Sequence, residues 1–127
     1  DVIIIRYQGP VGGPGMPEML KSVSAIRDYD FSGKVAFLTD GRIFGNISGF
    51  TIGHISPEAH LAGRLAIVNN GDIIEIDAKK NTITLEVNDE EIEKRFTAWT
   101  IPKNNQEGYL KKYTRLVSPA SKGCVTC

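Results

Sequence analysis

The chain has 127 residues, 41% of them hydrophobic and 24% charged, the composition of a soluble globular domain large enough to bury a real core. Fifteen basic residues balance fifteen acidic ones, which leaves no positive field for nucleic acid or an anionic membrane surface. No apolar run approaches the roughly 20 residues of a membrane span.

Asp1–Tyr7, DVIIIRY, is β-branched and nearly all apolar, which predicts a strand buried on both faces. It opens abruptly and without an initiator Met, so we expect the chain to be a fragment of something longer. Gln8–Gly15, QGPVGGPG, is too rich in Gly and Pro for helix or strand. Met19, Leu20, Val23 and Ile26 recur at helical spacing, and Pro17 suits a first turn, which predicts a helix over Met16–Asp28. Val35–Leu38 reads as a second short buried strand.

Leu38–Ala59 follows as LTDGRIFGNISGFTIGHISPEA, with Gly41, Gly45, Gly49 and Gly53 at four-residue intervals. Glycine weakens any regular element, so this backbone has to turn sharply or approach something closely. Ser56 and Pro57 then fit the N-cap and first residue of a short helical turn. Leu65–Val68 is expected to be a strand. The turn Asn69–Asp72, the alternating segments Ile73–Asp77 and Thr82–Val87, and the turn Ala78–Asn81 predict further β structure. Asn88 caps a helix over Asp89–Phe96, whose early acids and later Lys94 and Arg95 suit the helix dipole. Tyr109, Leu110, Tyr113 and Leu116 suggest a last short helix. Short strands, tight turns and a few helices add up to a β-rich α/β or α+β domain, packed most economically as a small barrel or sandwich flanked by helices.

Several residues carry candidate chemistry. Gly9–Glu18 is a glycine loop opening a helix, which reads equally as a cradle for a phosphate or carboxylate and as a ligand-free turn. Met16-Pro17 stands where a P-loop needs Lys-Ser/Thr. Glu18 reads as a complement to the helix dipole or as a hard oxygen ligand for a divalent cation. Asp40 and Arg42 form an internal pair or orient a substrate carboxylate at a strand end. His54 is a structural residue or a general base, and His60 reads as a surface residue. Ser56 and Glu58 are satisfied as helix-start residues. Cys124 and Cys127 make a C-x-x-C in the last four residues, half a zinc site at most. We expect a frayed tail there and a reducing compartment, the cytoplasm.

Three blocks, VIIIRYQGPVGGPGMPEML, LTDGR…IGHISPEA and GYLKKYTRLVSPASKG, resemble the C-terminal part of the dihydroxy-acid dehydratase and phosphogluconate dehydratase family, in the family's order and over nearly the whole chain. The resemblance implies a fold: a swivelling β-barrel-like domain, similar to that of aconitase-like enzymes, flanked by a few helices. It implies an activity: a hydro-lyase that turns 2,3-dihydroxy acids, branched-chain precursors or sugar acids, into 2-oxo acids. It implies Mg²⁺ at the substrate's carboxylate end and an iron–sulfur cluster whose ligands lie outside this chain, on an N-terminal domain of the same protein. A homo-oligomer is expected, and no nucleic-acid or membrane partner. Carried over residue by residue, Glu18 matches the Mg²⁺ ligand, and Gly12, Gly13 and Gly15 match the glycine loop beside it. Similar enzymes read TDGR-Phe-Ser-Gly, with that serine as the proposed base. Aligned without gaps from Thr39 to Gly53, Phe44 stands at the serine position. Ser48 is the nearby hydroxyl with a route to the same role. The alternative implied by Phe44 is a domain of this family that only binds or assembles.

Overall fold

The structure is a computed structural model that describes residues 1–29, 31, 33–44, 49–103 and 105–126. Two sheets and three α-helices make it an α/β fold, and no closed barrel is present among the described residues. The first sheet holds β1 (Val2–Ile5), β2 (Ala36–Thr39) and β3 (Thr51–Ile52) in that order, all parallel. Parallel neighbours need a crossover, and α1 (Leu20–Asp28) supplies the one between β1 and β2.

The apolar run of β1 is explained by what lies on each side of the sheet. Ile3 and Ile5 pack with Met19, Ile26 and Phe37 on the side of α1. Ile4, between them, packs with Ala59, Leu65, Ala66, Ile67 and Ile92 on the other. Successive strand residues point to opposite faces, so an unbroken apolar segment serves two clusters. Phe37 and Leu38 of β2 are each 1% exposed, which makes each worth about 1.5–3 kcal/mol of burial.

Helix α1 begins at Leu20, four residues later than the sequence predicts. Met16 has φ 46° and its N–H donates to Gly13 O at 2.7 Å, so the loop's own turn claims the residues assigned to the first helical turn. The expected strand Leu65–Val68 is instead a 3-10 helix over Arg64–Ile67. Short apolar runs are ambiguous between the two states. Arg6 settles this one: its guanidinium donates to the carbonyls of Leu65, Ala66 and Val68, each at 2.9 Å. Those carbonyls converge on one cation only because the segment coils; along a strand they would alternate in direction.

The second sheet is an antiparallel hairpin of β4 (Ile74–Asp77) and β5 (Thr82–Leu85). Its turn follows from Asp77, whose Oδ1 accepts from Lys79 N and Lys80 N at 2.9 and 3.0 Å, and from Asn81 at φ 55°. In α2 (Asp89–Ala98), Asn88 Oδ1 accepts from Glu91 N at 2.8 Å, the expected cap. Arg95 of α2 bonds Asp72 at 2.6 Å and Glu91 at 2.9 Å, tying the helix to the Asn69–Asp72 turn. These hydrogen bonds hold the Asp72 and Glu91 carboxyls below their ordinary range.

Helix α3 (Gly108–Leu116) runs into a tail that is not frayed as expected. Ser118 N donates to Val125 O at 2.9 Å, Val125 N donates to Ser118 Oγ at 3.0 Å, and Gly123 turns the chain at φ 85°. Cys124 is a half-buried free thiol within this turn; Cys127 lies outside the described residues.

Candidate functional site

Ligands of open α/β sheets gather outside the carboxyl ends of the strands. Here the glycine loop leaves β1 and the Asp40–Phe44 segment leaves β2 at that same end. Gly41 permits the approach: a Cβ there would lie 2.6 Å from Gln8 Cβ and 2.8 Å from Gln8 O. Thr39 Oγ1 accepts from Gly41 N at 3.0 Å and fixes the turn out of β2.

Two buried carboxylates then bind the loops together. Asp40, 0% exposed, accepts from Tyr7 N at 3.1 Å and Ala59 N at 2.8 Å through Oδ2, and from Gln8 N at 2.9 Å through Oδ1. Glu58, 1% exposed, accepts from Val11 N at 3.0 Å through Oε1 and from Gly12 N at 3.0 Å through Oε2. A loop of free amides is an anion site, and this one is filled by the chain's own Glu58. The amides of Val11 and Gly12 are thus taken by an internal carboxylate.

This corrects the place given to Glu58 as a residue satisfied by a helix start. It stands at the N-cap of the 3-10 turn Ala59–Leu61 but makes no side-chain cap there; its side chain reaches back to the glycine loop. Ser56 is not the cap either, since its Oγ donates to His54 O at 3.3 Å. Sequence reasoning missed Glu58 because its partners are 46 and 47 residues away. The usable signal was the abundance of donors in a loop with no cation beside them.

Gly13 is fixed by the close passage of Gln8, whose Cα would sit 2.9 Å from a Cβ. Gly12 faces His60, whose Cβ would be 3.1 Å from an added Cβ, so His60 is half-buried against the loop rather than on the surface. Gly15 takes φ 79° with open space around it. Glu18 is exposed just before α1 and follows the Gly13–Met16 turn. Among the described residues no three His, Cys, Asp or Glu groups come together as a metal site.

Arg42 and Phe44 stand together beyond Asp40: the guanidinium lies over the Phe44 ring, 5.7 Å from its centroid, and Phe44 is 53% exposed. Ser48 lies outside the described residues. His54 is exposed at φ 55°. Trp99 is tied to the β1 end through its indole N–H, which donates to Tyr7 Oη at 3.0 Å. Tyr113 of α3 is half-buried, and burial raises its phenol above the ordinary value; Cys124 and Glu58 act in the same direction and Arg42 against it. The tail block therefore feels the charges of the loop site.

A cleft of about 610 Å³ lies elsewhere, between Val2, Ile4 and Arg6 of the β1 segment and Val68–Ile74. Arg6 and Asp72, which line it, are already engaged, Arg6 on three carbonyls and Asp72 on Arg95. We therefore place the candidate site at the loops rather than in this cleft.

What the fold and site define is an α/β module that brings a glycine loop, an exposed carboxylate and an Arg-bearing loop to one sheet end. Residues 1–124 match the family described as dihydroxy-acid/6-phosphogluconate dehydratase C-terminal. The chain is 54% identical over 127 residues to the dihydroxy-acid dehydratase of Flavobacterium psychrophilum, covering 99% of this chain and 23% of that protein. It is 53% identical to that of Methylococcus capsulatus with the same coverage. It is 53% identical over 126 residues to the mitochondrial dihydroxy-acid dehydratase of Schizosaccharomyces pombe, covering 98% and 21%. The chain belongs to this dehydratase family and corresponds to its C-terminal part. It spans less than a quarter of the length of these relatives.

Proposed function

We propose that the chain is the C-terminal part of a dehydratase that converts 2,3-dihydroxy acids to 2-oxo acids, and that it contributes Glu18 and the Arg42 loop to a site shared with the N-terminal part of the same protein. The observation that carries this reading is spatial. The GGPGMPE and TDGR…SPEA blocks, far apart in sequence, form one structure at the carboxyl ends of β1 and β2. The identity with proteins named dihydroxy-acid dehydratase supports it. The swivelling, aconitase-like role, the homo-oligomer and the cytoplasmic location belong to the same proposal.

Glu18 suits Mg²⁺ as one hard, solvent-facing oxygen donor, with the remaining ligands to come from outside this chain. Bound there, Mg²⁺ would neutralise charge on the substrate's carboxylate and on the oxygen where charge develops. Arg42 is always cationic and presents a planar fork that matches a carboxylate; it orients substrate and cannot take a proton. The described residues do not fit an iron–sulfur cluster, since Cys124 is the one thiol among them. The C2 proton has no acceptor at Phe44. On this reading Ser48 or a group from the N-terminal part takes it.

Phe44 also favours a second reading, a member of the family that binds or assembles without dehydrating. One experiment decides between them: 2-oxo acid formation from several dihydroxy acids by the complete protein, reconstituted with cluster and Mg²⁺. Turnover in the wild type supports the enzyme. No turnover, with activity gained in Phe44→Ser, supports the second reading.

A further inference from the structure

The five amides of Tyr7, Gln8, Val11, Gly12 and Ala59 all end on two carboxylates with 0% and 1% exposure. Asp40 anchors the entry of the glycine loop. Glu58 accepts from Val11 and Gly12 in its middle. Gly9 is part of the same fit, because a Cβ there would overlap the Glu58 carboxylate. From Gly12 the connection to Glu18 is short and stiff. Gly13 N donates to Gly9 O at 2.8 Å, Met16 N donates to Gly13 O at 2.7 Å, and Met16 is buried at 4% exposure. Pro17 then fixes φ next to Glu18.

We propose that Glu58 is a positioning residue: its carboxylate permanently occupies the anion nest of the glycine loop, closes that nest to substrate anions, and thereby sets where Glu18 stands. The second half rests on the reading of Glu18 as a Mg²⁺ ligand; the first half does not. Substrate anions are then held by Arg42 and the metal, and the loop's amides serve only to receive Glu58.

The test uses the complete protein with Glu58→Gln, Glu58→Ala and Glu18→Gln. Gln is nearly isosteric with Glu but neutral, and although Oε2 alone is within reach of both amides, either orientation of the amide puts its NH₂ where an oxygen now accepts from Val11 N or Gly12 N. Its NH₂ would face an N–H, so the fold is kept while the lock is broken. Hydrogen exchange at Val11 and Gly12 is expected to speed up about tenfold or more in Glu58→Gln, and Mg²⁺ affinity by titration to weaken about tenfold. In Glu58→Ala, acetate should enter the vacated nest and restore protection of the same two amides. Glu18→Gln should lose Mg²⁺ affinity with loop protection unchanged.

Unchanged protection in Glu58→Gln overturns the lock. Lost protection with wild-type Mg²⁺ affinity, alongside a Glu18→Gln variant that has lost it, overturns the positioning half. Wild-type Mg²⁺ affinity in Glu18→Gln overturns the metal reading and with it the positioning half, while loop protection still decides the lock.

Discussion

Replacing Asp40 by Asn tests how much of the site's framework rests on one side chain. Asp40 Oδ2 accepts from two amides, Tyr7 and Ala59, and Oδ1 from a third, Gln8. Asn keeps the shape but has one oxygen. The favourable orientation puts that oxygen where two amides meet and turns the NH₂ toward Gln8 N–H. One charge-assisted bond is lost, two become neutral, and a donor faces a donor without water, since Asp40 is 0% exposed. Hydrogen bonds to charged groups contribute about 1.5–3 kcal/mol each, so the expected loss is about 2–4 kcal/mol. Urea unfolding of the chain can be followed at Trp99, its one tryptophan, whose indole donates to Tyr7 Oη and so reports on the residue Asp40 holds. With a slope of about 2 kcal/mol per molar urea, the midpoint should fall by about 1–2 M. A fall below about 0.3 M at unchanged slope would refute the claim that the carboxylate organises this end of the sheet.

Two further outcomes are expected. Arg95 bonds Asp72 and Glu91, and these bonds hold both carboxyls below their ordinary values. A depressed folded-state pKa gives stability that is fully present above the unfolded value, near 4, and is lost as pH falls through the folded one. Arg95→Met should therefore flatten the decline in urea midpoint below about pH 4; parallel curves for the two proteins would contradict the assignment. Gly9→Ala and Gly15→Ala should separate two reasons for glycine. The first forces a methyl into the Glu58 carboxylate and is expected to cost about 3 kcal/mol. The second meets no atom within 4 Å but sits at φ 79°, a cost of about 1–2 kcal/mol. Equal losses in thermal or urea unfolding would contradict the steric reason given for Gly9.

The elements that could be read from the chain are those whose reasons are local. Asn88 and the acids after it announce α2, and Asp77 to Asn81 announce the hairpin turn. The apolar run of Val2–Ile5 signals a strand with two covered faces, and the clusters on either side of the sheet bear that out. Some failures come from a partner remote in sequence, and one from a local turn. Arg6, some 60 residues from its acceptors, coils Arg64–Ile67 against its strand-like composition. The internal turn of the glycine loop delays α1 to Leu20. At the site, the resemblance points to Gly12, Gly13, Gly15 and Glu18 and the strand-end position to Asp40 and Arg42, and the two loops that carry them meet. Glu58 was passed over because a Pro-Glu-Ala sequence reads as a helix start in isolation, and only the folded chain shows which donors its carboxylate reaches.

The carboxylate lock also bears on the order in which the chain folds. Its bonds close sequence separations of 19 to 47 residues, and a loop rich in glycine gains no order by itself. Distant closures cost chain entropy before they return any contact. Pairing Val2 with Ala36 closes a separation like that of Asp40 with Tyr7 and Gln8, so those bonds are expected to form with the sheet register, and the longer Glu58 closures after it. Contacts that form after the rate-limiting step govern how fast a fold comes apart more than how fast it forms. Glu58 is accordingly expected to act as a brake on unfolding, at the end of the sheet where the two family blocks meet.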